Sequence, residues 1–266
     1  MRNHGCANDH PRLWSSQVAT VTGKYPRMRA TTSHICSKTS KEIYAVTGFD
    51  PARLLAFWAQ RADDILTLAG EHLLVVAVSL LFATIIGVGV GLLVWNNAIG
   101  RSLAVTSAAV ILTIPSLALL AAMIPIFGLG WVPTLIGLTL YSLLPIIRNT
   151  VVGLREVSPA IMESAMGMGM SPGRVMLTVQ LPMAWPVILT GVRVAAQLTI
   201  GIAAIGAYVG GPGLGQMIFQ GLSSLGSRNA LNLALTGTLC VIVLALIVDG
   251  LFNYVTKLTT SKGLRA

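Results

Sequence analysis

Residues 73–94 read LLVVAVSLLFATIIGVGVGLLV, a run of 22 residues without a charged side chain. A helix needs about 20 mostly apolar residues to cross a bilayer. Inside the lipid every backbone amide must find its hydrogen bond within the segment, and a helix satisfies this requirement. The run therefore predicts a membrane-spanning helix.

The rest of the chain has the composition of a membrane protein. Of its 266 residues, 54% are hydrophobic and only 10% are charged, far from the usual balance of a soluble domain. Four further stretches are long and apolar enough to span a bilayer or come close to it: 103–127, 132–147, 185–208 and 231–254. We therefore predict an all-α membrane protein with about five transmembrane helices.

The excess of basic side chains is better explained by membrane topology than by nucleic acid. The net charge is +9, but a nucleic-acid-binding protein gathers its basic residues on one soluble face. Here most of them lie between apolar runs, so we expect membrane lipid and no nucleic acid around the chain. The three cysteines and four histidines lack metal-ligand spacing, and we predict no metal site.

Basic residues in the short loops predict the orientation. With five spans, seven of them fall on one side, against Arg228 on the other. The seven are Arg101, Arg148, Arg155, Arg174, Lys257, Lys262 and Arg265. Since short loops rich in Lys and Arg stay in the cytoplasm, we expect residues 257–266 to form a cytoplasmic tail.

The segments before the first span differ in character. Residues 1–50 are polar and aperiodic and lack the apolar centre of a secretory signal, so we expect a disordered N-terminal extension. Residues 51–71 mix apolar and charged side chains in a pattern typical of an amphipathic helix on the membrane surface. A poorly ordered lead-in is the alternative. The transmembrane domain is then expected over 72–256.

The connection between the third and fourth spans, 157–182, carries the most local structural signals. Pro159, preceded by a serine, predicts a short helix that ends near Gly169. A second short helix is expected to begin at Pro172, and Pro182 to break the chain ahead of the next span. These signals predict a helical elbow that projects from the membrane.

The residues of this connection resemble the EAA loop of bacterial ABC importer permeases. In that family a Glu-Ala-Ala triplet precedes a glycine six positions after the Glu, and a Leu-Pro pair follows. The corresponding residues here are Glu163, Ser164, Ala165, Gly169, Leu181 and Pro182, with Arg174 between them, and Ser164 replaces the middle alanine. The resemblance implies a coupling helix that docks on a cytoplasmic ATPase. An amphipathic loop helix with glycine stops is the alternative.

Longer runs resemble one branch of that superfamily, the osmoprotectant permeases. They include 113–120, 141–150 and 210–215. The resemblance implies a type I ABC importer permease in a bacterial inner membrane. Its solute would be glycine betaine, choline or carnitine, moved into the cytoplasm by ATP hydrolysis on a separate subunit. Methionine or a sulfonate is the alternative solute, and an ion-coupled secondary transporter is the more distant alternative.

The same resemblance implies the partners. A cytoplasmic ABC ATPase dimer would bind ATP and Mg, because this chain has no GxxxxGK[ST] run, and we expect a transport subunit with no cofactor or ATPase activity of its own. The pathway of this class lies between two permease subunits, so a second copy or a related chain is expected. An extracytoplasmic solute-binding protein would contact an outer loop, for which a plain connector is the alternative. That loop contains Gly210, Gly211, Pro212, Gly213 and Gly215.

Two charges and several prolines lie within the predicted spans. Because an intramembrane charge needs a partner or water, we predict that Arg193 pairs with Asp249. Separate snorkelling of each side chain to the interface is the alternative. Pro115, Pro125 and Pro145 predict bends that suit a pathway opening alternately to each side, and static packing is their alternative.

Overall fold

A computed structural model describes residues 51–227 and 229–259, and all the regular secondary structure there is helical. In chain order the helices are α1 Pro51–Gln60, α2 Ala62–Val94, α3 Ala98–Thr113, α4 Ser116–Phe127, α5 Trp131–Glu156, α6 Pro159–Gly167, α7 Pro172–Val175, α8 Leu181–Gly206, α9 Gly215–Ser223 and α10 Ala230–Thr259. The expectations for residues 1–50, Arg228, Lys262 and Arg265 lie outside the described residues.

Four helical segments among the described residues are long and apolar enough to cross a membrane. They are Ala62–Val94, Trp131–Glu156, Pro172–Val209 and Ala230–Thr259. Helices α3 and α4 are together long and apolar enough to cross a membrane, but the chain bends by 94° at the break between them. With that pair counted as one broken span there are five, which confirms the predicted class.

The span predicted over 103–127 is a broken one, and the bend predicted at Pro115 is confirmed, because the chain turns sharply at Ile114 and Pro115. Proline disfavours the helical conformation of the residue before it, and Ile114 is extended, with φ −69° and ψ 129°. The break leaves the carbonyl of Ile114 without a helical partner. The hydroxyl of Tyr141 donates a 2.6 Å hydrogen bond to that oxygen and so ties the break to α5.

Two other spans have boundaries that differ from the predicted ones. Helix α5 continues nine residues beyond Ile147 to Glu156, so Arg148 lies on a helix and not in a loop. Its inner face stays buried through Thr150, Val151 and Leu154, and this packing holds the helix together after the apolar run ends. Helix α2 begins at Ala62, which makes the end of the predicted lead-in part of the first span.

The remaining part of the lead-in forms α1, which packs against the C-terminal helices. Phe57 clusters with Met217 of α9 and Leu233 of α10. The indole nitrogen of Trp58 donates a 2.8 Å hydrogen bond to the hydroxyl of Thr236. These contacts are intramolecular, so this face of α1 is not available to lipid.

Helix α5 is the centre of the bundle and packs against both α2 and α8. Glycines make the contacts close: a Cβ atom built on Gly91 of α2 would lie 2.5 Å from Cγ2 of Thr150, and one on Gly191 of α8 would lie 2.7 Å from the carbonyl oxygen of Pro145. Ser142 and Thr199 share a buried 2.7 Å hydrogen bond across the α5–α8 contact. Such small residues permit close backbone approach, which drives helix association in membranes.

Two glycines two residues apart, on opposite faces of α2, provide a test of this packing. We expect Gly91→Ala to lower the thermal midpoint of the purified protein, because overpacking a close contact costs about 1–3 kcal/mol. Gly89→Ala is the matched control, since a Cβ atom there meets nothing within 4 Å. Thermal unfolding in detergent, followed by loss of the monodisperse peak, measures both. Equal midpoints for the two variants would contradict the packing described here.

Candidate functional site

The connection from α5 to α8 forms the helical elbow expected from its sequence. Helix α6 begins at Pro159 and ends at Gly167, and Gly169 follows with φ +84°, a conformation that favours glycine. Ala165 is the buried residue of α6. Val157 before the helix and Val175 after it are also buried, so three small or branched apolar side chains anchor the elbow.

The outer surface of α6 combines one carboxylate with exposed apolar side chains. Glu163, Ser164 and Gly169 are all exposed, as is Arg174 in the following turn. Among the described residues, no ion-pair partner reaches Glu163. The apolar part comprises Ile161, Met166 and Met168, the last with 72% of its surface accessible. Methionine-rich apolar surface of this kind is typical of protein-binding sites.

A pocket of about 340 Å³ lies between α6 and the ends of the long helices. Its lining residues are Trp95, Leu154, Arg155, Val157, Pro159, Met162, Glu163, Met166 and Gln180. Gln180 is buried and donates a 2.9 Å hydrogen bond from Nε2 to the carbonyl oxygen of Leu154. That bond ties the start of α8 to the end of α5, so the elbow is connected to two membrane-spanning helices.

Pro182 does not break the chain ahead of the next span, contrary to the prediction. A π-helical turn, Met176–Gln180, joins α7 to α8 without interruption, and the amide of Leu181 bonds to the carbonyl of Met176. Pro182 then falls at the second residue of α8, directly after this π-helical turn. Leu181 and Pro182 therefore continue the elbow directly into a membrane span.

The two charges predicted to pair form a bidentate ion pair between α8 and α10. Arg193 donates from Nε to Oδ1 of Asp249 and from Nη2 to Oδ2, both at 2.7 Å. Gln197 donates a 2.6 Å bond to the same Oδ1, and Nη1 of Arg193 donates a 2.6 Å bond to Oδ1 of Asn253. The side chains of Arg193 and Asp249 keep 34% and 26% of their surface accessible.

Sequence reasoning missed the two amides that complete this cluster. Gln197 follows Arg193 by four residues, and Asn253 follows Asp249 by four. Side chains four residues apart on a helix are neighbours, so the spacing was a usable signal. The predicted pairing of Arg193 with Asp249 already implied that α8 lies beside α10, and the same contact brings the two i, i+4 pairs together.

The glycine-rich run, predicted to contact a binding protein, is mostly buried within this chain. Gly210 is exposed, but Gly211, Pro212, Gly213 and Gly215 are buried. A Cβ atom on Gly213 would lie 2.7 Å from Cβ of His72, and one on Gly215 would collide with the carbonyl of Ala204. These glycines let the chain between α8 and α9 pack tightly against α2 and α8.

The sequence matches a family of transport proteins. The family described as "Binding-protein-dependent transport system inner membrane component" matches residues 80–261. The choline transport system permease protein OpuBD of Bacillus subtilis (strain 168) is 38% identical, over 77% of this chain and 89% of that protein. The osmoprotectant import permease protein OsmW of Salmonella typhimurium is 35% identical, over 79% of this chain and 98% of its own length.

Solved structures show the same fold. The methionine ABC transporter MetNI in an inward-facing conformation contains a chain that superposes with a TM-score of 0.65 and 24% identity, covering 74% of this chain and 96% of that one. A chain of an amino acid ABC transporter crystallised with histidines gives a TM-score of 0.57 at 16% identity, covering 79% and 97%. The fold is therefore that of a type I ABC importer permease.

Charge reversal tests the Arg193–Asp249 pair. We expect Arg193→Asp and Asp249→Arg each to lower the yield of folded protein, because an uncompensated charge at the centre of a membrane helix costs about 2.5–3.5 kcal/mol. The double reversal should restore it, since both neighbouring amides can donate or accept. The yield of monodisperse protein in detergent measures the effect.

Arg155→Asp is the control for that experiment, because Arg155 is exposed in the last turn of α5 and the same change of charge there should cost little. A double variant no better folded than the single ones would favour separate snorkelling of the two side chains.

Proposed function

Because this chain belongs to the family of binding-protein-dependent transport system inner membrane components, and is thus a permease of the ABC importer type, we propose that it carries a small osmoprotectant into the cytoplasm. The solute is of the glycine betaine, choline or carnitine kind. The observation that supports this choice is the set of curated relatives at 34–38% identity, which are named as choline, osmoprotectant and carnitine permeases.

A methionine or sulfonate importer is the alternative. The likeness to the methionine transporter has 24% identity, too low to transfer a solute, whereas the osmoprotectant permeases match over nearly their whole length. Quaternary ammonium groups are usually held by aromatic cages, and the aromatic residues in the spans of this chain are dispersed along it. Solute recognition therefore resides mainly on a separate extracytoplasmic binding protein.

The partners follow from the importer class. A cytoplasmic ABC ATPase dimer binds ATP and Mg and supplies the energy, and this chain acts without a cofactor or an enzymatic activity of its own. A second permease subunit, identical or related, completes the pathway. In this arrangement the chain is a multi-pass protein of the bacterial inner membrane, with its C-terminus and the α6 elbow on the cytoplasmic side.

The elbow is the docking site for that ATPase. Glu163 offers an exposed carboxylate without an ion-pair partner among the described residues, and the exposed Met166 and Met168 surround it with adaptable apolar surface. The buried bond from Gln180 to Leu154 connects this surface to α5 and α8. A displacement of α6 by the ATPase is thereby transmitted to two spans at once.

Reconstitution in liposomes with the cognate ATPase and binding protein tests the function. We expect ATP-dependent uptake of glycine betaine, choline or carnitine, and we expect Glu163→Arg to reduce it at least about tenfold, the effect of losing about 1.4 kcal/mol of docking free energy. Uptake of radiolabelled solute and copurification of the ATPase provide the two measurements.

Glu156→Arg is the matched control, because Glu156 is an exposed glutamate at the end of α5 and carries the same change of charge outside the docking surface. Uptake that is independent of ATP and unchanged in both the Glu163→Arg and the Glu156→Arg variants would contradict an ATP-driven importer. ATP-coupled uptake of methionine alone would retain the importer and replace the solute.

A further inference from the structure

A row of polar and small residues follows one face of α8. Thr190, Arg193, Gln197 and Gly201 are spaced three, four and four residues apart, and this spacing keeps them on one side of a helix with 3.6 residues per turn. The residues between them on the opposite side, such as Ala195 and Ala196, are buried against the bundle. We call the four residues, with Asp249 and Asn253 of α10, the polar stripe.

The stripe lies deep within the membrane. Arg193 is twelve residues from the start of α8 at Leu181, which corresponds to about 18 Å along the axis, and thirteen residues from its end at Gly206, or about 20 Å. The hydrocarbon core of a bilayer is about 30 Å thick. The stripe is therefore near the middle of the span.

The polar side chains of the stripe are accessible on the surface of the single chain. Thr190, Gln197 and Asn253 are exposed, and the ion pair is partly so. Exposed polar groups at this depth do not face lipid, because their desolvation is costly. The exposed face of α10 opposite Asp249 is different, since Ile247 and Leu251 are apolar and, at about 200° around the helix from Asp249, suit lipid. The surface that carries the polar stripe therefore faces water or another protein, whereas the opposite face of α10 faces lipid.

The hydrogen-bond donors and acceptors of the stripe favour contact with water over burial in a dry protein interface. The guanidinium of Arg193 has five N–H donors, and its bonds to Asp249 and Asn253 use three of them, one on each nitrogen. Burying the remaining donors together with the free groups of two amides would leave several polar groups unpaired, each at a cost of about 1–3 kcal/mol. Water in an open cavity satisfies them all.

We propose that the polar stripe lines the water-filled pathway through which the solute crosses the membrane. The proposal rests on the permease function but not on the identity of the solute. Because Arg193 neutralises Asp249, the wall of the pathway has no net charge at this depth. A solute with a quaternary ammonium group then meets no unpaired carboxylate that would hold it, and a zwitterion meets no repelling charge, as a conduit of low affinity requires.

Cysteine accessibility in the complete complex tests the proposal. Thr190→Cys and Gln197→Cys are made in a chain whose native cysteines are replaced by serine, then assembled with the ATPase and binding protein in liposomes. The probe is a methanethiosulfonate that carries a trimethylammonium group, which reacts with thiolates in water. Labelling rates are measured with and without ATP.

Ile247→Cys is the matched control, since Ile247 is 61% accessible and lies two residues from Asp249, at the same depth but about 200° around α10. We expect both stripe positions to react at least about tenfold faster than Ile247 in one of the two nucleotide conditions, because a thiol in hydrocarbon does not ionise. Equal rates at all three positions in both conditions would overturn the proposal.

Thr190→Cys keeps the test valid if Gln197→Cys fails to assemble, because the hydroxyl of Thr190 bonds only within its own helix, to the carbonyl of Pro186. The outcome is also separable from that of the uptake experiment. A wrong solute would leave the labelling pattern intact, and a dry stripe would leave osmoprotectant uptake intact.

Discussion

The close approach of α2 and α8 to the central helix α5 is the constraint on which the rest of this structure depends. Lipid tails are as apolar as leucine, so the hydrophobic effect does not hold membrane helices together, and they associate through tight packing and hydrogen bonds. Gly91 and Gly191 bring the two outer helices to within van der Waals contact of α5. The bond between Ser142 and Thr199 then fixes the rotation of one helix against the other.

The functional elements are attached to this three-helix centre. Tyr141 of α5 holds the carbonyl exposed by the break before Pro115, which positions α3 and α4. At the end of the same helix, the carbonyl of Leu154 receives the amide of Gln180, which positions the elbow. If an ATPase displaces α6, as proposed, the displacement reaches the broken span through α5 alone, and that route is a physical basis for coupling.

The charges in the membrane follow a different logic from those in the elbow. Arg193 and Asp249 form an ion pair with each other inside the chain. The free-energy cost of burying these two charges therefore depends on the correct pairing of α8 with α10. Glu163 is left without such a partner among the described residues, and its charge is exposed at the surface of α6. The paired charges neutralise each other and stabilise the contact between two helices, whereas the unpaired charge is available to another protein.

The sequence alone determined the class, the approximate position of each span and the location of the elbow. Apolar length and proline and glycine signals are local properties, and they predicted the start of α6 at Pro159 and the glycine that follows it. Tertiary structure decided the rest. Packing of its inner face extends α5 past Ile147, and packing against α2 buries most of the glycine-rich run. Likewise, Gln197 and Asn253 joined the ion pair only because α8 and α10 lie side by side. These outcomes depend on which helices become neighbours, and the periodicity of a single segment does not contain that information.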